Sequence, residues 1–448
     1  MRHTTWVLGV AALLAASAPG VNAAEPATPT FTKDIAPIFQ AKCENCHRPD
    51  SIGPMPLVTY EQARPYASAI RRQVSSRTMP PWHLDKTVGI QEYANDRSLT
   101  DAEIDTILRW ANGGAPKGDP NDMPAPVQWP SDHGWQLGSM FGQTTPDLIL
   151  TSTPYTQKAG SQDAWWNSAI PTGLTEARWV RAIEMRPSTV KGRKITHHVI
   201  ANLIQDERLA AEALRVVDDP DAVVDGVSEA GLFAEYAVGK QGELMRPGAG
   251  RLMLPGSHIR MNIHYSGGGE DVTDSVEMGI YFYPKGQEPR HRQVLKSYGA
   301  GPIDIKPGEV KVISRVHILP SAARVETFQP HMHLRGKAML MEAVYPDGRT
   351  QVLSYVNNFQ FNWHTQYVYA DDAAPLLPRG TVLRVTAWHD NSAANRANPD
   401  PLMWIGEGAR TVDEMAHAWV NMTFMSDADF KVAVAERAAR KGRSTQQQ

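Results

Sequence analysis

Only two cysteines occur in the 448-residue chain, Cys43 and Cys46, and the motif Cys-Glu-Asn-Cys-His that contains them ends at His47. Two thiols at this spacing can both reach the vinyl groups of one haem, and the histidine that follows then lies beneath the iron. The motif therefore predicts one haem c, attached covalently through Cys43 and Cys46, with His47 as an axial ligand. Because the haem uses both thiols, no disulfide remains, and the fold must be stabilised by packing and by metals.

Two other kinds of site use a C-x-x-C pair, and the sequence disfavours both. A zinc site needs four ligands, and the chain has no third cysteine. A thioredoxin-like redox pair lies beside a βαβ pattern and does not need the histidine at position 47. No such pattern surrounds the motif, so haem attachment is the favoured interpretation.

The first 23 residues are typical of a signal peptide. Arg2 precedes an apolar run from Trp6 to Ala16, and Val21-Asn22-Ala23 has the small residues of a cleavage site. The apolar run is too short to cross a bilayer, which disfavours a membrane anchor. We therefore expect a periplasmic protein with no stable membrane span, in the compartment where haem is attached to c-type cytochromes. The formal net charge of -3 argues against a nucleic-acid partner.

Residues 31–116 have the pattern of a small all-α cytochrome c domain. Apolar residues at helical spacing from Phe31 to Ala41 predict a helix that leads into the haem motif. Thr100, with Glu103 three residues later, predicts a capping box at the start of a closing helix. The glycine pair Gly113-Gly114 predicts the end of that helix.

The haem iron needs a sixth ligand or an open position, and Met79 is the favoured ligand. It lies in Thr78-Met79-Pro80-Pro81-Trp82, and a thioether on a proline-stiffened loop is a common way to hold an axial methionine. Met55 and His83 remain alternatives, although Met55 is very close to His47 in the chain. An open sixth position would instead suit a haem-based sensor.

From residue 146 to residue 432 the pattern changes to short apolar or alternating runs separated by turn residues. Val199 to Leu203 and Ile259 to Tyr265 are examples. This pattern is typical of β-sandwiches, and the length allows two jelly-roll-like domains of similar size. One stretch, Glu207 to Val217, predicts a helix.

The sequence therefore predicts a multidomain chain in which a small all-α cytochrome c domain precedes two mainly β domains. A segment rich in Pro, Gly and Asp would link them, and a polar end would be disordered. The predicted boundaries are residues 1–23 for the signal peptide, 31–116 for the cytochrome c domain and 117–145 for the linker. They are 146–290 for the N-terminal copper β-sandwich domain, 291–432 for the C-terminal copper β-sandwich domain and 433–448 for the disordered tail.

Most histidines of the β-rich part occur in closely spaced groups. His331 and His333 are two residues apart, which on a strand places both imidazoles on one face, where they can bind one ion. His197 and His198 are adjacent, and they can share a metal only at a bulge or a strand end. His264 ends a strand-like run. Lone histidines elsewhere are expected to be hydrogen-bonded core residues.

Met415, which follows Asp413 and Glu414, adds a thioether to these imidazoles. Imidazole suits copper, zinc and iron, whereas a thioether favours copper in its reduced state. The spacing alone thus predicts a His/Met copper site and a second histidine site.

Taken in order, these motifs resemble the copper type II, ascorbate-dependent monooxygenases, the family of the peptidylglycine α-hydroxylating and dopamine β-monooxygenases. The order His-His, His-Tyr after a strand, His-x-His and Glu-Met is similar to the family's ligand order, and the segment Pro330 to Lys337 is similar as well. The resemblance covers about residues 145 to 430. It is greatest to a bacterial subgroup that carries an N-terminal cytochrome c domain.

The resemblance implies two copper ions, held in two β-sandwich domains that face each other across a cleft. The implied ligands are His197, His198 and His264 for the electron-transfer copper, and His331, His333 and Met415 for the dioxygen-binding copper, where the last three are also the catalytic residues. His258 remains an alternative to His264, and Met422 and Met425 remain alternatives to Met415.

The chain departs from the peptide-hydroxylating member of the family at three positions. Gln329 replaces an arginine that binds a substrate carboxylate, and His417 and Trp419 replace an asparagine and a tyrosine. A peptidylglycine substrate is therefore not expected, and the pocket gives no substrate identity. His364 is expected to be a surface or strand histidine, with a polar group in the cleft as the alternative.

The resemblance and the fused haem together predict an oxidoreductase that acts on paired donors and incorporates one oxygen atom. Dioxygen would hydroxylate a C–H bond of a small organic substrate, and a periplasmic electron donor would supply electrons through the haem. The alternative is a non-enzymatic electron-transfer or copper-binding cytochrome c protein. The two differ in whether the copper at Met415 has an open position facing a cleft.

Overall fold

The computed structural model describes residues 28–49, 51–129, 134–206, 231–237, 240 and 242–445. The protein is mainly β, with several sheets and a smaller number of helices. The predicted signal peptide and the predicted helix Glu207 to Val217 lie outside the described residues.

Short helices dominate the N-terminal part, and one longer helix lies at the C-terminal end. The α-helices are α1 (Ala36–Lys42), α2 (Tyr60–Ala63), α3 (Ala67–Ser75), α4 (Asp101–Asn112), α5 (Gly192–Ile195) and α6 (Asp427–Thr445). A π-helical turn, Phe31–Ile35, precedes α1, and 3-10 turns occupy Arg64–Tyr66, Pro120–Asp122 and Gly138–Phe141.

Helix α4 begins and ends where the sequence predicted. The Thr100 hydroxyl accepts from the backbone N–H of Glu103 at 3.2 Å, and the Glu103 carboxylate accepts from the backbone N–H of Thr100 at 2.7 Å. Gly113 is its C-cap. The capping box and the helix from Phe31 into the haem motif are both confirmed.

The first four helices form a helical region around one small core. Its fully buried members include Phe31, Phe39, Ile107 and Trp110. The segment between α3 and α4 leaves this core, because Trp82, Leu84 and Tyr93 are buried with side chains of the later sheets.

Twenty-three strands are present in the described part of the chain. They are β1 (Leu148–Thr151), β2 (Tyr155–Gln157), β3 (Ala164–Pro171), β4 (Arg178–Pro187), β5 (Thr196–Ile204), β6 (Leu232–Ala237), β7 (Glu243–Leu244), β8 (Ala249–Met253), β9 (His258–Tyr265), β10 (Val272–Asp274), β11 (Val276–Phe282), β12 (His291–Gly299), β13 (Asp304–Ile305), β14 (Val310–Ile318), β15 (Ala322–Val325), β16 (Thr327–His331), β17 (Gly336–Val344), β18 (Thr350–Val356), β19 (Tyr367–Val368), β20 (Leu376–Leu377), β21 (Val382–Asp390), β22 (Ile405–Gly406) and β23 (His417–Met425).

Strands β1 to β11 form a first β region in which two sheets enclose one core. One sheet has the order β1-β11-β4-β8, and the other has the order β3-β9-β5-β6. Alternate residues of facing strands supply the core, among them Ile183, Val199, Met261 and Met278. The alternation of apolar residues in the sequence therefore predicted these strands correctly.

Strands β12 to β23 form a second β region of the same kind. Strands β14-β21-β17-β18 form one sheet, and β12-β23-β15-β20 form part of another, which β16 and β19 extend. Buried side chains from both, such as Val325, Phe328, Met341 and Val385, lie in one core.

The two β regions are continuous through their inner sheets. Strand β8 pairs with β12 in parallel, which joins the two into an eleven-stranded sheet. At this junction, Arg251 donates to the side-chain oxygen of Asn421 at 2.7 Å, and Asn421 donates to the Glu243 carboxylate at 3.0 Å. All three side chains are buried, so the junction is held by polar contacts that are sensitive to geometry.

The C-terminal segment differs from the sequence prediction. The sequence predicted a disordered tail over residues 433–448, whereas helix α6 continues to Thr445. Acidic residues in its first turn suit the positive end of the helix, and Arg440 binds Asp372 at 2.8 Å. The polar composition therefore reflects an exposed helix. Among the described helices, none is long and apolar enough to cross a membrane.

Candidate metal centre

Three of the predicted ligands, His197, His198 and His264, converge in the first β region. Nδ1 of His198 lies 3.1 Å from Nδ1 of His197 and 3.4 Å from Nδ1 of His264. A tetrahedral ion with metal–nitrogen distances of about 2.0–2.1 Å separates neighbouring ligand nitrogens by about 3.3 Å. The nitrogens of this histidine triad thus have the spacing of ligands around one ion.

The triad depends on the pairing of β5 with β9. His198 pairs directly with His264, and the register shifts between Thr196 and His198. This irregularity allows two adjacent histidines to turn toward one point, which a regular strand would prevent. The sequence predicted that the adjacent pair can share a metal only at a bulge or a strand end, and the structure has a register shift at this position.

His258, the alternative to His264, lies at the opposite end of β9. It pairs with Ile204 and Pro171, six residues along the strand from His264. The structure therefore brings His264, and not His258, to the adjacent pair.

Asp163 and Trp165 both contact the imidazole of His264 and fix its orientation. Nε2 of His264 lies 3.2 Å from Oδ2 of Asp163, and the Trp165 ring stacks on the imidazole at 4.6 Å between centroids. The contact with His264 lowers the pKa of Asp163, so this carboxylate stays ionised. It also accepts from the Thr411 hydroxyl of the second β region at 2.5 Å. Sequence reasoning missed Asp163, because only the register of β3 against β9 places it there.

The second predicted group has a different geometry. His331 ends β16, and the ring centroids of His331 and His333 are 5.4 Å apart. Nδ1 of His333 lies 3.1 Å from the carbonyl oxygen of Asp413. A carbonyl can only accept, so Nδ1 carries the proton and Nε2 keeps its lone pair for a metal.

Glu414 fixes the backbone of the His-x-His segment. Its buried carboxylate accepts from the backbone N–H groups of His333 at 2.9 Å and of Arg335 at 2.6 Å. Met415 follows, and its own backbone N–H donates to the same carboxylate at 3.3 Å. The Met415 carbonyl also lies 3.2 Å from Nε2 of His389, so the backbone of Met415 is held beside this group.

The two alternatives to Met415 lie elsewhere on β23. Met422 accepts from the hydroxyl of Tyr298 at 2.9 Å within the second core. Met425 pairs with Ala322 at the end of the strand, whereas His331 pairs with His417 at its start.

His364 is placed where the sequence did not predict it. The expectation of a surface or strand histidine is wrong, because the side chain is only 3 % exposed and lies in the segment between β18 and β19. Its Nδ1 is 3.2 Å from Nδ1 of His331. No spacing motif marks this histidine, which is 31 residues beyond His333 in the chain.

The two histidine groups are in ring contact with each other. Ring centroids are 5.5 Å apart for His198 and His331, and 5.3 Å apart for His197 and His364. We call the six residues together the histidine cluster: His197, His198, His264, His331, His333 and His364. The two groups therefore form one assembly where the β regions meet, whereas the resemblance implied sites separated by a cleft.

Burial favours the neutral form of five imidazoles of the cluster, those of His197, His198, His331, His333 and His364. It lowers the pKa of His197 and of His333 to about 4 each. It lowers the pKa of His198, His331 and His364 well below the usual value of an imidazole. Neutral rings keep the lone pairs that a metal requires, so the donor set fits copper or zinc at neutral pH.

The haem motif lies in the turn that follows α1. Both cysteines are half-buried, and Nδ1 of His47 lies 3.0 Å from the carbonyl oxygen of Met55. This contact leaves Nε2 of His47 free to bind a metal. Burial raises the pKa of the Cys43 thiol to about 12, unlike a reactive redox cysteine, whose pKa is lowered. The residues present therefore fit thioether attachment of a haem.

A glycine allows the chain to pass close to the motif. A Cβ added at Gly53 would lie 2.7 Å from Nδ1 of His47 and from the carbonyl oxygen of Cys46. Cys46 also borders a cavity of about 100 Å³, whose lining includes Arg193 and Lys240 of the first β region. The motif thus faces open space between the helical region and the sheets.

The candidates for the sixth iron ligand occupy different surroundings. Met79 follows α3, and its backbone N–H donates to the Gln73 carbonyl at 3.2 Å. Met55 packs against the helical core. His83 is 4 % exposed, and its backbone N–H donates to the Tyr367 hydroxyl at 3.2 Å. The structure therefore assigns His83 to the second β region, while Met79 stays at the edge of the helical region.

Comparison with known proteins does not identify a family. No family model matches the chain, and no curated protein matches it. Among solved structures, the major capsid protein P2 of bacteriophage PM2 is similar at 9 % identity, covering 61 % of this chain and 97 % of that chain, with a TM-score of 0.24. VP2 of infectious bursal disease virus is 11 % identical over 69 % of this chain and 77 % of that chain, with a TM-score of 0.17. Likenesses this weak carry no argument about fold or function.

Proposed function

We propose that this chain is a periplasmic, haem c-containing copper monooxygenase that hydroxylates a C–H bond of a small organic substrate with dioxygen. The observation that carries the proposal is the convergence of the predicted histidines at ligand spacing, with nitrogens 3.1 and 3.4 Å apart in the triad. In this proposal the helical region is an all-α cytochrome c domain, and the two β regions are jelly-roll-like β-sandwich domains.

One haem and two copper ions would together deliver electrons, one at a time, from the donor to dioxygen. Cys43 and Cys46 would hold the haem, with His47 and Met79 as axial ligands. The triad would hold the electron-transfer copper, oriented through Asp163, and His331, His333 and Met415 would hold the copper that binds dioxygen. The carbonyl of Asp413 and the carboxylate of Glu414 would keep His333 in place.

Packing around Trp82 supports electron entry through the haem. Three residues after Met79, the Trp82 ring meets Tyr367 edge to face, with centroids 4.8 Å apart. Tyr367 is three residues from His364 of the histidine cluster. The segment expected to hold the haem ligand therefore contacts an aromatic side chain that is three residues from the cluster in the chain, which suits transfer from a periplasmic donor through the haem.

The surroundings of Gln329 support a substrate without a carboxylate. The side chain of Gln329 donates to the Glu235 carboxylate at 3.0 Å, and both residues are buried. An amide that is already bound to an internal acid cannot replace an arginine as an anion receptor. We therefore infer that Gln329 does not bind a substrate carboxylate.

A cavity beside His364 favours an enzyme over a carrier. It has a volume of about 150 Å³ and is lined by Pro81, Arg97, Lys240 and His364, among others. The burial of the cluster favours the second candidate, a non-enzymatic electron-transfer or copper-binding cytochrome c protein, since five of its six histidines are 6 % exposed or less. A copper with an open coordination position beside a cavity suits catalysis, whereas a copper enclosed by its ligands suits copper storage or electron transfer.

The deciding experiment measures metal content and turnover in the mature, haem-loaded protein. We expect two coppers per haem, and we expect His331→Ala and Met415→Ala each to remove one. His317→Ala, a matched histidine outside the cluster, should keep both. Oxygen consumption coupled to haem oxidation, screened over small organic substrates of either charge and of none, separates the two candidates. Two coppers without substrate-dependent oxygen use would leave the carrier, and no bound copper would refute both copper functions.

A further inference from the structure

His364 is surrounded on several sides by members of the histidine cluster. Its ring centroid lies 4.6 Å from that of His331, 5.3 Å from that of His197 and 5.9 Å from that of His198. It therefore contacts both the triad and the His-x-His segment, and no other described histidine outside these groups does so. A buried polar ring in this position needs a partner, because a buried polar group without one destabilises the fold.

One partner of the His364 ring is another imidazole, beside a backbone hydrogen bond with Met332, and the separation of the two imidazoles has the ligand spacing found in the triad. The two Nδ1 atoms of His331 and His364 are 3.2 Å apart, between the 3.1 and 3.4 Å of the triad contacts. Two nitrogens at this distance either share one proton or bind one ion, whose neighbouring ligands lie about 3.3 Å apart. Three such contacts in one cluster favour the ion.

Aromatic side chains fix both rings in this arrangement. Trp419 stacks on His331 with centroids 4.4 Å apart, and Phe359 lies 5.9 Å from His364. Phe361 contacts both His197 and His364, at 4.7 and 5.7 Å. Rigid apolar walls limit the rotation of the rings, so the nitrogens meet in a fixed geometry, as ligands must.

We propose that His364 is a metal ligand that pairs with His331, so that the two ions lie as neighbours in one six-histidine cluster. This inference rests on the proposed function only in requiring that copper binds. It makes His364 a further ligand of the second ion, beside His331 and His333. The Trp82–Tyr367 contact would then lie three residues from a ligand of that ion.

The test compares His364→Ala and His364→Gln with His258→Ala, a half-buried histidine of β9 outside the cluster. Copper content and the integrated Cu(II) EPR signal are measured on the haem-loaded protein. In the unmodified protein we expect two coppers but less than two spins of signal, because neighbouring Cu(II) ions couple. Both His364 variants should hold one copper and give one full spin, and His258→Ala should match the unmodified protein.

His364→Gln addresses loss of folding, because it keeps most of the side-chain volume and can still donate to His331. If His364 only positions His331 through a hydrogen bond, His364→Gln will keep two coppers, and the inference is overturned. Two coppers that give two full spins also overturn it. If His331→Ala loses a copper while His364→Ala does not, this inference fails and the proposed function survives. If the unmodified protein binds no copper, both fail.

Discussion

Replacing His83 with leucine should remove a defined part of the protein's sensitivity to acid. The side chain is 4 % exposed, and Nε2 of its imidazole is buried without a hydrogen-bond partner among the described residues. Burial alone lowers the pKa of His83 from 6.5 to about 4. Leucine has a similar volume and cannot bind a proton, so His83→Leu isolates the titration of one group.

The direction of the pH effect on stability follows from the number of protons that the folded and unfolded chains bind. Between pH 6.5 and pH 4 the unfolded chain binds a proton at position 83 that the folded chain does not, so stability falls as the pH falls through this window. At pH 5 the difference in protonation costs the folded state about 2 kcal/mol, against about 0.2 kcal/mol at pH 7. The unmodified protein should therefore lose about 2 kcal/mol more than His83→Leu over this interval.

The assay is urea unfolding of the metal-free protein and of His83→Leu at pH 7 and pH 5. Taking the difference between the two pH values for each protein cancels the titration of the other groups, which both proteins share. His258→Leu, with a half-buried histidine, is the matched control for the substitution itself. Equal losses in the unmodified protein and in His83→Leu would show that His83 titrates normally and would refute the argument.

Three further predictions test the metal centre and the helical region. Asp163→Asn should weaken copper binding about 10- to 100-fold, as measured by competition with a chelator, because the carboxylate orients His264. Copper at a free concentration of about 100 times its Kd should raise the free energy of unfolding by about 2.7 kcal/mol, and a chelator should reverse this. Thr100→Ala should lower the free energy of unfolding of the helical region by about 1 kcal/mol, because it breaks the capping box with Glu103.

Each of these has a matched control. Asp271→Asn changes an exposed carboxylate of the same β region and should leave copper affinity unchanged. Copper should give less stabilisation in His198→Ala than in the unmodified protein. Thr106→Ala lies within α4, where alanine is favourable, so stability should change by less than about 0.5 kcal/mol. An equal effect of Thr100→Ala and Thr106→Ala would contradict the capping argument.

The sequence could determine features that depend on residues close together in the chain. The haem motif occupies five consecutive residues, and the capping box of α4 spans four, so local geometry specifies each. The requirement for a bulge at His197 and His198 also follows from the alternation of side chains along a strand. The β pattern from residue 146 onward has the same origin.

The C-terminal helix shows where composition misleads. Residues 433–445 are polar because the helix is exposed, and composition alone does not distinguish an exposed helix from a disordered tail. Its contact with Asp372, through Arg440, joins residues that are 68 positions apart.

Only the tertiary structure decided which histidines meet. His198 pairs with His264 across 66 positions, and His331 meets His364 across 33, and these contacts depend on strand register and on how the two β regions join. A shift of one residue in a register would turn a ligand to the opposite face of the sheet. The sequence therefore determined that imidazoles, thiols and a thioether were available as ligands. The packing of the sheets determined that six of the imidazoles form one cluster, and that Asp163 lies behind it.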